Sequence, residues 1–102
     1  MSRKLYIGLN DKDASVSLIS TTKAKALLNA IAIKYVDGFT VYEAQGYWKD
    51  DAGKPVHEDT LVYEFFDASD GQVIQIMEEM RTLLNQSAIL ASRTESMRIY
   101  YK

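Results

Sequence analysis

The sequence predicts an α+β fold in which an antiparallel sheet carries two helices on one face. Three observations lead there. Two stretches, 21–36 and 70–84, repeat apolar residues at the spacing of an amphipathic helix. Around them lie short runs rich in β-branched and aromatic residues, which suit a pleated, half-buried surface. The elements follow one another as β-α-β-β-α-β, with a hairpin in the middle where strict β/α alternation would be broken.

The first strand is expected over 4–9, "KLYIGL", with apolar side chains on both parities. "NDKDAS" follows as a loop, because Asn and Asp favour turns. The first helix is expected from Thr21 to Val36, capped by Ser20 or Thr21. Its apolar face is Ala24, Leu27, Leu28, Ile31 and Tyr35, and "DG" at 37–38 ends it, with Gly38 able to turn left-handed. Strand two is placed from Phe39 to about Tyr47. "KDDAGKP" has turn composition, and Gly53 and Pro55 argue against continued strand there. The expected third strand is therefore Thr60–Phe66, with a loop over 48–59.

"DASDGQ" stops that strand and opens helix two, where Ser69 and Gln72 fit a capping box and Asp70 is a rival cap. Val73, Ile76, Met77, Met80, Leu83 and Leu84 form its apolar stripe. "SAILAS" is the expected fourth strand, and "SMRIYY" a short fifth or a continuation. The order is that of the ferredoxin-like split βαβ sandwich, with residues 1–102 forming one domain. A sheet covered on one side should show a polar parity to water. Here Leu61, Tyr63 and Phe65 share one parity, yet Val62 and Phe66 flank Glu64 on the other. The open face is therefore expected to be covered by further copies of the chain.

Composition excludes several classes of function. The chain has 102 residues, a formal net charge of −2 and 47 % hydrophobic residues, so it is globular and lacks a basic footprint for nucleic acid or an anionic membrane. It has no cysteine, which removes disulfides and thiolate chemistry. The start, "MSRKLYIGLN", is basic but has no apolar run of signal-peptide length, and no segment approaches a membrane span. A cytoplasmic location is expected.

The stretch "GFTVYEAQGY" then resembles strand two of the PII-like signalling proteins, where Gly-x-Thr-Val-x-Glu-x-x-Gly-aromatic leads into an exposed T-loop. Gly38, Thr40, Val41, Glu43, Gly46 and Tyr47 match in order and spacing. Arg98 and Ile99 match the start of that family's closing Arg-Ile-Arg. The chain departs from the family in a short T-loop, "WKDDAGKPVHED", and in having no glycine-rich B-loop, since "RTLLNQSAIL" contains no glycine. The resemblance implies a homotrimer with small-molecule sites between subunits, and an arginine at Arg98 contacting ligand phosphates.

The candidate ligand-binding residues are Thr40, Glu43, Tyr47, Trp48, Arg93 and Arg98. Trp48 would stack on a flat ligand, an arginine would neutralise an anionic group, and Glu43 would orient the ligand. Each also has a bland use. Glu43 could pair with Lys34, Arg93 or Arg98, and Trp48 could anchor the loop. Glu43 and Glu64, on neighbouring strands, could form a carboxylate pair. His57 stands beside Glu58 and Asp59 without the spacing of a metal motif. Lys49 and Lys54 could meet a phosphate. The function expected is binding, sensing or sequestering of a small anionic metabolite or nucleotide by an oligomer. The alternatives are a protein-binding module using the 48–59 loop, or a small α+β-barrel enzyme. No catalytic residue, metal ligand or cofactor is assigned.

Overall fold

The computed structural model describes residues 2–11, 13, 16–85 and 89–94. They form strand β1 (Ser2–Gly8), helix α1 (Thr21–Tyr35), strands β2 (Thr40–Lys49) and β3 (Pro55–Phe66), helix α2 (Asp70–Leu83) and strand β4 (Leu90–Thr94). All pairs are antiparallel and the sheet order is β2-β3-β1-β4. This is the ferredoxin-like α+β sandwich expected from the sequence. The position of a fifth strand lies outside the described residues.

Register divides the sheet into two faces. Leu5 stands opposite Tyr63, and Tyr63 opposite Val41; one step along, Tyr6, Val62 and Tyr42 form the next row. Side chains alternate faces along a strand. The odd-numbered set, with Leu5, Ile7, Leu61, Tyr63 and Phe65, is buried beneath Ala24, Leu28 and Ala32 of α1 and Val73, Ile76 and Met80 of α2. Phe39 packs its ring 5.5 Å from Tyr63 and 6.3 Å from Phe65. The buried Tyr63 hydroxyl donates to Asn29 Oδ1 at 2.5 Å, which ties β3 to α1, and burial pushes the phenol's pKa up.

The caps are those the sequence announces. Ser20 Oγ accepts from Lys23 N at 3.1 Å. Ser69 Oγ accepts from Gln72 N at 3.1 Å, while Gln72 Oε1 accepts from Ser69 N at 2.8 Å, completing the capping box. Asp70 is not the cap but an anchor for Arg3. Its Oδ1 accepts from Arg3 Nη2 at 2.7 Å and from Nε at 2.9 Å. Arg3 also donates to the Ala68 carbonyl, so a nearly buried guanidinium fastens β1 to the start of α2.

Three expectations are corrected. Gly38 does not turn left-handed; α1 ends as Val36 takes an extended conformation (φ −131°, ψ 155°). On α1, Leu27 is exposed and Ala32 takes its place in the core. The largest correction concerns 48–59, which is not a loop. Trp48 and Lys49 end β2, residues 55–59 begin β3, and the turn is only 50–54.

Pro55 is the first residue of β3, at the end of the ladder, where a missing N–H is tolerated. Asp50 builds the turn. Its Oδ1 accepts from Ala52 N at 3.0 Å and Lys54 N at 2.8 Å, its carbonyl accepts from Gly53 N at 2.9 Å, and Gly53 takes φ 78°. The five pairs from Gln45–Asp59 to Lys49–Pro55 lie beyond the last β1–β3 pair, Gly8–Thr60. They make an arm about 16 Å long at ~3.3 Å per residue.

Ser69→Ala should lower stability by about 1 kcal/mol in urea unfolding, the usual value of such a cap. Asp50→Ala should loosen the arm, seen as faster amide exchange at Ala52 and Lys54, with little change in global stability.

Candidate functional site

Where the arm leaves the sheet, the open face is hollow. β1 stops at Gly8, and the residues beside it on the same face are small: Ala44 and Gly46 on β2, Thr60 on β3. Larger side chains, Tyr6 and Trp48, stand around this floor. The result is a depression of about 600 Å³, open to solvent on one side.

Glu58 reaches into it. Its carboxylate lies across the bare backbone of Gly8, where any Cβ would coincide with it. Oε2 accepts from Asn10 N at 2.8 Å, just after the end of β1. Gly46, cross-strand from Glu58, is also constrained: a Cβ there would sit 2.9 Å from Thr60 Oγ1. The two glycines therefore keep the floor low by the absence of side chains. Burial pushes the Glu58 carboxyl above its ordinary range, and the Asn10 N–H offsets only part of that.

The sequence-derived candidates divide by face. Trp48 and Tyr47 both border the depression. Tyr47 is 73 % exposed and lies beside His57, ring centroids 5.0 Å apart. His57 also hydrogen-bonds Gln45 across the arm. Thr40 shares the open face with Trp48 but lies eight residues away along β2, about 26 Å at the strand rise of ~3.3 Å. Glu43 belongs to the helix side, where it pairs with Lys25 of α1 at 2.9 Å. Among the described residues its partner is thus Lys25, while Lys34 pairs with Glu79. Glu64 faces the other way and meets Lys4 at 3.9 Å, so Glu43 and Glu64 form no carboxylate pair. Arg93 occupies the β4 position opposite Arg3, and Arg98 lies outside the described residues.

No group of three or more His, Asp or Glu side chains suited to a metal ion occurs among the described residues. Glu58 itself was passed over in the sequence because "HED" looks like an ordinary charged loop. The signal that could have found it was the pair of glycines, Gly8 at the end of β1 and Gly46 inside β2.

The rest of the open face is largely aromatic. Tyr42, Trp48 and Phe66 are 42 %, 43 % and 51 % exposed, while Val62 between them is closed off. Tyr42, then Glu64 and Tyr6, surround Lys4 and hold its ammonium pKa above the usual value. No helix of the described residues is long and apolar enough to cross a membrane.

The chain belongs to the family described as "Protein of unknown function (DUF3574)", whose model matches residues 2–99. No curated protein matches it. Among solved structures it is similar to a phage SAM lyase in complex with S-methyl-5'-thioadenosine, with 18 % identity, 88 % of this chain and 76 % of that chain covered, and a TM-score of 0.68. It is similar to a phage SAM lyase in the apo state, at 16 % identity, 95 % and 91 % coverage and a TM-score of 0.62. The periplasmic divalent cation tolerance protein CutA from Archaeoglobus fulgidus aligns at 12 % identity, 96 % and 88 % coverage and a TM-score of 0.56. At these identities the likeness establishes the shared fold.

Gly8→Ala should displace Glu58 and destabilise the fold, and Gly8→Ala with Glu58→Ala should recover most of the loss in a double-mutant cycle. Glu58→Gln tests the charge. A raised carboxyl pKa penalises folding when Glu58 is ionised; the penalty is full above the folded pKa and is relieved as pH falls towards the ordinary 4.5. Glu58→Gln should therefore raise the urea midpoint at about pH 7 and leave it unchanged at about pH 4.

Proposed function

We propose that this protein binds a small flat ligand in the depression between the arm and the open face of its sheet, as a homo-oligomer. The observation that carries this reading is the low floor at Gly8 and Gly46, set between Tyr6 and Trp48 with a carboxylate laid across it. Aromatic walls offer stacking, and Glu58 and Thr60 offer polar contacts that fix orientation. A volume near 600 Å³ suits a nucleoside-sized molecule. The phage SAM lyase of similar fold holds such a molecule, S-methyl-5'-thioadenosine.

The oligomer follows from the exposed aromatic face. Tyr42, Phe66 and Trp48 on one sheet surface form an apolar patch of the kind that marks an interface. A second copy laid on that face would close the open side of the depression and place the ligand between subunits. The resemblance to PII-like proteins favours a trimer. Tyr47 and Trp48 keep their place at this site, and Thr40 and Glu43 stand outside the depression; Arg93 and Arg98 stay candidates for an anionic group of the ligand.

A protein-partner role for the same stretch is favoured by one observation, the exposure of Tyr47 near the tip of the arm. In that case Tyr47→Ser would abolish capture of the partner while the fold stayed intact.

Native mass spectrometry of gently purified protein tests the main reading. A trimer or larger ring carrying an added mass of nucleoside size is the expected result. Trp48 is the sole tryptophan, so its emission should shift on titration with S-methyl-5'-thioadenosine or adenosine. A bare monomer whose emission ignores both compounds would overturn the proposal.

A further inference from the structure

The proposed site carries a sign. Among the described residues that border the depression, Glu58 is the one charged at neutral pH; the others are aromatic, aliphatic, small or neutral polar. No lysine or arginine of the described residues borders it. Lys4, the open-face cation nearest along β1, is four residues from Gly8 and engaged with Glu64. Lys49 and Lys54 belong to the far end of the arm.

From this geometry, and resting on the binding reading above, we infer that the depression selects a positively charged or neutral nucleoside-like ligand and rejects a phosphorylated one. The sequence alone pointed the other way, to an anionic ligand. The carboxylate decides the matter. Oε2 has one backbone donor, Asn10 N, and Oε1 accepts no hydrogen bond from the described residues. Glu58 is half-buried beside two aromatic rings, so water solvates it poorly. A cationic substituent would supply the missing partner, and the faces of Trp48 and Tyr6 would favour the same charge. A phosphate brought to the same place would meet a fixed negative charge, with no lysine or arginine of the described residues beside it.

The test is a charge series on one scaffold, read by Trp48 emission and by calorimetry. The probes are 5'-amino-5'-deoxyadenosine, a cation; S-methyl-5'-thioadenosine, which is neutral; and adenosine 5'-monophosphate, an anion. The expected order of affinity is cation, neutral, anion, with about tenfold between neighbours, the size of one charge–charge contact of ~4 Å at a wetted surface. Glu58→Gln should collapse the series to within about threefold, because the amide keeps the side chain's shape and removes its charge.

The outcomes separate the inference from the reading beneath it. If all three probes bind alike, or the phosphate binds best, the sign assignment is overturned while the binding reading stands. Loss of a preferred phosphate in Arg98→Ala would then assign the charge to Arg98. If none of the probes binds to the intact oligomer, the binding reading fails, and the sign with it.

Discussion

The pairing register of β3 is the constraint on which the structure depends. β3 is an inner strand, hydrogen-bonded to β1 on one side and β2 on the other. Its odd residues, Leu61, Tyr63 and Phe65, lie at 0 % exposure under the helices. Its even residues, Thr60, Val62 and Glu64, face the open surface. A slip of one residue would put Glu64 and Thr60 beneath α1 and α2 and turn three large apolar side chains outward. The Tyr63–Asn29 hydrogen bond and the tilted packing of Phe39 against Tyr63 both depend on that register. The depression is a product of that same register, because it sets Glu58 across from Gly46 and Thr60 across from Gly8.

The sequence made the covered half of the molecule legible and the uncovered half much less so. Burial imposes periodicity, and periodicity is what a sequence displays. The α2 stripe at Val73, Ile76 and Met80 and the burial of Leu61, Tyr63 and Phe65 follow from packing against a core, whereas Leu83, placed in the same stripe, is exposed. Most side chains of the arm are exposed, so residues 45–59 are largely free of that demand and carry little apolar alternation. Pro55 and Gly53 then dominate the pattern and suggest a loop. In the fold they occupy the end of a ladder and a left-handed turn position, where each is well suited. Arg3 escaped notice for a related reason: a basic residue near the start of a chain looks solvated until Asp70 and Ala68 are seen around it.

The candidate residues illustrate the limit of spacing within a strand. Thr40, Glu43, Tyr47 and Trp48 share one strand and one stretch of resemblance, but a strand turns alternate side chains to opposite faces. Glu43 is thereby delivered to Lys25, and Trp48 to the depression. A motif read along the chain joins residues that the pleat separates. The residues that meet Trp48 come from other strands, and two of them, Gly8 and Gly46, contribute by lacking a side chain.

The shared fold cannot by itself assign a function, since similar structures include both a SAM lyase and a divalent cation tolerance protein. Local electrostatics can discriminate where topology cannot. A half-buried carboxylate with one donor is a standing cost to folding, and burial is the leading cause of its raised pKa. Gly8 keeps room for it, at some entropic cost to its strand. A purely structural role would be served as well by a neutral side chain, which packs at that depth without desolvating a charge. A ligand entering by the open side of the depression would meet that carboxylate, which accepts a hydrogen bond from the Asn10 N–H.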